Sequence, residues 1–301
     1  MIGLFIIRLD GAPKYAMWCN IIPGVLNVLL DWIFIFPLGM GVEGAAIATS
    51  ISISIGGFMA LGYLLWEAKD LKMIRLKMSA KSIALAFRNV GYHCRIGSST
   101  LLGELALAGM FYIGNRVFMH YLGDTGVGAY GIACYYMPFF FMVGNSIAQS
   151  AQPIISYNYG ADRWNKIVEA RKILLLTCLG FGMAVSLIFI LFPKGLVGLF
   201  IPTDSEAAII AIKGFPIMSI GILFFILNVA IIGYYQSVER MKKATLYVFL
   251  RGFIFIVPCF IILPRFLGNM GIWLAMPVSE LITFMFIALS VIPSRLKSIR
   301  K

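Results

Sequence analysis

Asp31 and Asn27 stand in the stretch LNVLLDWIFIF, where every other residue is apolar. A carboxylate and a carboxamide four residues apart on a helix project from one face. Their oxygens can hold a proton or a hard cation such as sodium. A carboxylate at the centre of a bilayer costs about 2.5–3.5 kcal/mol on insertion scales, so it should face a partner or a watery cavity. Pro23 stands four residues before Asn27; it carries no amide hydrogen and leaves a carbonyl oxygen near Cys19 without its helical partner. Thr49, in the next apolar segment, adds a hydroxyl. The same residues also fit a plainer role, a single hydrogen-bonded pair that locks two helices together.

Other polar residues lie inside apolar sequence and invite the same question. Glu104, in STLLGELALAGM, either faces the same cavity or sits near enough to the end of its helix to reach water. Arg251 and Glu280 lie on consecutive segments and are expected to neutralise each other as a structural ion pair. Arg116 is placed to snorkel. Gln149 and Gln152 line a path or, with Ser146, Ser150 and Ala151 beside them, mark close helix packing. Tyr135, Tyr136, Phe139, Phe140 and Phe141 are suited to stacking on an organic cation and equally to lipid contact. Catalytic constellations are not found: His93 and His120 are the two histidines, with no H-E-x-x-H, G-x-S-x-G or Walker motif. Cys19, Cys94, Cys134, Cys178 and Cys259 have no metal-like spacing and read as small core residues. No cofactor is expected, and the chain is not expected to be an enzyme.

The elements that must position these residues follow from composition. Of 301 residues 60% are hydrophobic and 13% charged, and the mean hydropathy is +0.92, far above an ordinary soluble domain. The chain reads as an all-α polytopic membrane protein. A helical stub ends near Arg8; two spans follow at about 15 to 37 and 44 to 66, and six more from about 96 onward, each of the 17 to 25 residues that a bilayer needs. A net charge of +12 would suggest nucleic acid in a soluble protein, but its distribution follows membrane topology instead. Lys and Arg collect in alternate connections: Arg8 and Lys14; Lys69, Lys72, Arg75, Lys77, Lys81, Arg88 and Arg95; Arg163, Lys166, Arg171 and Lys172; Arg240, Lys242 and Lys243; Arg295, Lys297, Arg300 and Lys301. The intervening connections hold Lys194, Lys213 and Arg265. The positive-inside rule makes the basic side, with the C-terminus, cytoplasmic. The basic connection 67–95 contains SAKSIALAFRNVGY from Ser79, an N-cap followed by apolar residues at helical spacing. It reads as an amphipathic helix at the cytoplasmic surface, or as the lead-in turn of the next span.

An internal repeat organises the spans. Pro37, Gly41, Gly44 and Ala48 return as Pro264, Gly268, Gly271 and Ala275, and Lys14, Ala16 and Gly24 return one residue out of step as Lys242, Ala244 and Gly252. Repeats of this kind build many transporters. The six-span second half, 96–301, then calls for a six-span partner of which residues 1–66 are the last part, so an N-terminally truncated two-lobe transporter is expected, with about eight complete helices of twelve. The repeated residues are turn and packing residues. Asp31 has no counterpart, falling opposite Pro258 or Cys259.

GAPKYAM, LNVLLDWIFIFPLGMGVEGAAIAT and IAQSAQPIISYNYGADR together resemble the multidrug and toxic compound extrusion (MATE) family of cation-coupled efflux transporters. The resemblance implies two six-helix lobes around a cleft that opens alternately to each side. It also implies export of small organic cations in exchange for Na+ or H+, from the inner (plasma) membrane, by a monomer with lipid and no nucleic acid as its surroundings. By position it implies that Asn27, Asp31 and Thr49 belong to a first-lobe cation cavity and that Glu104 is the acidic residue of the seventh helix. Where some members carry an aspartate on the tenth helix, FFILNVAIIGYY offers Asn228 alone as a polar candidate for the cleft. A flippase for a lipid-linked saccharide shares the two-lobe fold and is the nearest rival. It would line its cleft with cationic residues, and the interior candidates here are Arg116 and Arg251. A membrane enzyme, or a fragment inactive by itself, are the remaining readings.

Overall fold

The computed structural model describes residues 2–69 and 79–299, and they are helical almost throughout. Lys72, Arg75, Lys77, Arg300 and Lys301 of the basic clusters lie outside the described residues, as do the side chains of Arg95, Arg295 and Lys297. Helix α1 (Ile2–Leu9) leads to α2 (Pro13–Ile35) and α3 (Gly41–Gly62), whose last turn widens into a π turn, Tyr63–Glu67. The run Ala80–Gly160 is broken by non-helical backbone at Gly123, giving α4 (80–122) and α5 (124–160). Helices α6 (Trp164–Leu191), α7 (Pro193–Gly198) and α8 (Glu206–Ser237) follow. A last path begins at Met241–Phe249, passes through a π turn, Leu250–Phe255, and is broken at Gly268, giving α9 (241–267) and α10 (269–299). Counting each side of both breaks gives, among the described residues, the eight membrane-length helices that the hydropathy pattern predicts.

The segment from Ser79 is helical, and the Ser79 Oγ caps it by accepting from the Ser82 amide at 3.2 Å. The helix runs from Ala80 into the span without interruption. The chain divides into two compact units, Met1–Ala84 and Leu85–Lys301.

In the first unit, α2 and α3 pack as an antiparallel pair with α1 against one end. Pro23 sits in unbroken helix, and its missing hydrogen bond exposes the Cys19 carbonyl. Gly56 of α3 covers that place: a methyl group at its Cα would lie 2.8 Å from Pro23 Cγ and 3.2 Å from Cys19 O. A small residue is therefore required for the two backbones to approach.

The second unit is built around α8, whose most apolar window is 67% buried. Small residues again set the helix spacing: a side chain on Gly214 would strike Trp273, one on Gly221 would strike Pro277, and one on Gly252 would strike Ala106. Phe118, Phe140, Phe215 and Trp273 fill the space between the helices, all buried. Tyr136 turns inward and donates to Leu196 O at 2.9 Å. This aromatic core is the part of the Tyr135–Phe141 run that packs, since Phe140 and Phe141 are buried whereas Tyr135 and Phe139 face outward.

The repeat is visible in the backbone. Gly41 and Gly268 have φ of +54° and +55°, a region that L side chains rarely adopt. Gly44 and Gly271, three residues on in each, press against the preceding chain. A third copy of the device, Gly123 (φ +64°) and Gly126, makes the break between α4 and α5.

Candidate cation site

In the first unit α2 places Asn27 and Asp31 one turn apart on its half-buried face, and Asp31 lies one turn before the end of the helix at Ile35. Asn27 Nδ2 donates to Thr49 Oγ1 at 3.3 Å, and the Thr49 hydroxyl donates to Ala45 O at 2.9 Å. The chain of bonds fixes the direction of each group. With its nitrogen spent on Thr49, the Asn27 amide keeps its carbonyl oxygen as a free acceptor. Asp31 Oδ1 is buried and, among the described residues, has no hydrogen-bond partner. A buried acceptor left unmade costs about 1–3 kcal/mol, and more when charged. Asn27 and Thr49 are thus joined across α2 and α3, and Asp31, one turn on from Asn27 along α2, carries an orphaned carboxylate oxygen. A proton on Asp31, or a hard cation held by Asp31 and Asn27, removes that cost.

Glu104 is exposed on α4, and Gln149 and Gln152 are half-buried on α5. Tyr135 is 71% exposed and stacks on Phe200 with ring centroids 5.4 Å apart. Among the described residues no three His, Cys, Asp or Glu side chains come together as a metal cage.

Asn228 has a different environment from the cleft position expected of it. It is 0% exposed and its Nδ2 donates to both the Glu280 carbonyl at 2.9 Å and Glu280 Oε2 at 2.8 Å. Arg251 Nε donates to Glu280 Oε1 at 2.7 Å, and the guanidinium lies 4.0 Å from the Phe225 ring centroid. The expected ion pair is therefore a three-residue cluster across α8, α9 and α10, with Arg251 and Glu280 7% and 2% exposed. Its arginine comes from the π turn, and the widened turn leaves Gly252 room to touch Ala106. A cavity of about 10 Å3 beside Arg251 and Glu280 has room for one water. Asn228 Oδ1 is buried and, among the described residues, without a partner.

Nothing in the sequence points to the role of Asp10. Its turn is as expected, with Gly11 at φ +84°, but Asp10 is buried, and its Oδ2 accepts from Tyr63 Oη at 2.8 Å and from the Lys69 amide at 2.9 Å. It ties the end of α1 to the π turn after α3. A small turn motif carries no signal for a partner more than 50 residues away.

The MatE family model matches residues 100–261, more than half of the chain, within the second unit. The multidrug export protein MepA of Staphylococcus saprophyticus is 25% identical over 279 residues, covering 91% of this chain and 59% of the relative. MepA of Staphylococcus aureus is 23% identical over 276 residues, covering 91% and 58%. An outward-facing multidrug resistance MATE family transporter of the MOP superfamily superposes with a TM-score of 0.86 at 21% identity, over 99% of this chain and 66% of that one. A MOP superfamily transporter from Pyrococcus furiosus gives 0.86 at 19%, over 100% and 66%. A point mutant of the Vibrio cholerae MATE transporter VcmN gives 0.79 at 21%, over 97% and 65%. The chain spans less than two thirds of the length of these relatives. Its helices, their order and the matched segment place it in one group: the chain belongs to the MatE family of membrane transporters.

Proposed function

We propose that the chain is part of a cation-coupled antiporter that exports small organic cations by alternating access, with Na+ or H+ bound at Asp31 and Asn27 as the coupling ion. The observation that carries this reading is the orphaned, buried Oδ1 of Asp31 beside an Asn27–Thr49 pair already fixed by its own hydrogen bonds. The Asn27–Thr49 bond by itself joins α2 to α3; the unpartnered Asp31 oxygen is what supports a role in ion binding beyond that lock. Binding a cation or proton removes a buried charge from a helix that already carries Pro23, so α2 has two states that differ in electrostatic cost. Glu104 is accessible to the coupling cation, and Gln149, Gln152 and Tyr135 are accessible enough to meet substrate; Asn228 belongs to the buried cluster and serves packing.

The flippase reading needs cationic side chains free to meet anionic head groups. Of its two interior candidates, Arg251 is spent on Glu280 and Phe225, leaving Arg116, which is exposed. That favours export of cations. The distribution of Lys and Arg supports an inner-membrane protein with its basic connections in the cytoplasm. The test is gradient-driven efflux of a fluorescent organic cation from everted membrane vesicles. Asp31→Asn is expected to abolish ion-driven efflux while membrane insertion persists; unchanged efflux would overturn the assignment.

A further inference from the structure

On the second unit a groove of about 450 Å3 opens between α6, α8 and α10. Its walls are Leu175, Leu179, Leu227 and Phe284, and at one end stand Arg171 and Lys172. The volume lies within the usual range for small-ligand sites. From Arg171 to Leu179 is eight residues of helix, about 12 Å of apolar trough below the charges. No acidic residue lines it. The nearby carboxylate, Glu169, is bound to Lys166 at 3.0 Å, and among the described residues neither Arg171 nor Lys172 has a salt-bridge partner. Arg171 is held in place by the Tyr234 ring, 5.6 Å from its guanidinium carbon to the ring centroid. Two cations therefore stand at the rim of an apolar trough on a membrane-spanning helix, at the end of the bundle that also carries Arg163, Lys166 and Arg240.

We infer that this groove is a binding site for an anionic phospholipid, its phosphate held by Arg171 and Lys172 and one acyl chain lying along Leu175, Leu179 and Phe284. The charge complementarity selects the occupant: a zwitterionic lipid presents a cation of its own to the same rim, and an organic cation is repelled. Neutral lipid fills the trough without using its two charges. Basic pockets between membrane helices bind anionic head groups for this reason.

The experiment is native mass spectrometry of the purified chain with an equal mixture of phosphatidylglycerol and phosphatidylcholine of the same acyl composition. Helical content by circular dichroism is checked for every variant. The wild type is expected to retain phosphatidylglycerol about tenfold over phosphatidylcholine, from two cations acting on one phosphate. Arg171→Gln with Lys172→Gln should bring the ratio close to one. Arg240→Gln with Lys242→Gln removes the same charge elsewhere and should leave it unchanged. Leu179→Trp fills the trough with the rim intact and should lower retention of both lipids. A wild-type ratio near one overturns the site, as does an equal loss in the Arg240 and Lys242 variant, or undiminished retention in Leu179→Trp.

Discussion

Replacing Glu280 by Gln removes the charge that two other side chains are built around. Arg251 would keep its position over Phe225 but lose the carboxylate charge at 2.7 Å, and because glutamine keeps a single acceptor oxygen, its amide nitrogen would face one of the two donors, Arg251 Nε or Asn228 Nδ2. Breaking one partner of a buried pair costs about 3–5 kcal/mol in soluble proteins, because the other charge stays buried without compensation. Unfolding within a detergent micelle gives a smaller number, since the denatured helices find other polar partners there. A loss of about 2 kcal/mol, roughly thirtyfold in the unfolding equilibrium, is the expected outcome. Arg251→Met should cost a similar amount, leaving Glu280 unpaired. The double variant should cost much less than the sum and less than either single, because two apolar or neutral groups leave no buried charge. The assay is reversible unfolding in mixed micelles with increasing dodecyl sulfate, followed by circular dichroism, for the wild type, both singles and the double. Additive losses, with a coupling energy near zero, would refute the claim that Arg251 and Glu280 are a single buried unit.

Other consequences are local. Gly41→Ala and Gly268→Ala each force an L side chain into φ near +55°, so each should lower stability by about 1–2 kcal/mol, and by similar amounts if the repeat is a backbone device; thermal unfolding of the two variants compares them. Gly56→Val should wedge α2 from α3 at Pro23 and Cys19, seen as a lengthened distance between spin labels on the two helices. An unchanged distance would mean that the Cys19 carbonyl is not closed off as described. Tyr63→Phe removes the bond from Tyr63 to Asp10 at a cost of about 1.5–3 kcal/mol for a charged acceptor, and hydrogen exchange at the Lys69 amide should quicken as the tether loosens.

What residues alone make legible is what local spacing determines. Asn27 and Asp31 share a face because they are four apart, and Gly41 and Gly268 take the same backbone angle because the same turn is built twice. The requirement for a small residue opposite Pro23 is half legible: the freed carbonyl follows from the proline, but Gly56 is one of several glycines that could have met it. Partners chosen by tertiary packing are not legible. Asn228 stands in an apolar stretch with nothing nearby to indicate Glu280, 52 residues on, and it reads as a cleft residue because FFILNVAIIGYY offers no other polar candidate where the family resemblance looks for one. Asp10 reads as a turn because its partners, Tyr63 and Lys69, lie beyond two further helices. The helix from Ser79 is legible in its cap and apolar spacing, a spacing compatible both with lying on a membrane and with leading into it, and its backbone continues unbroken into the span.

The central claim is that Asp31 exchanges a proton or sodium ion. The most direct measurement is infrared difference spectroscopy of the purified protein, stepped between low and high pH with and without Na+, comparing wild type with Asp31→Asn. A carboxyl band that titrates, that Na+ or pH controls, and that vanishes in Asp31→Asn is the predicted result. A spectrum identical in the two proteins would contradict the account, leaving the Asn27–Thr49 bond as a lock between α2 and α3 and Asp31 without a part in ion exchange.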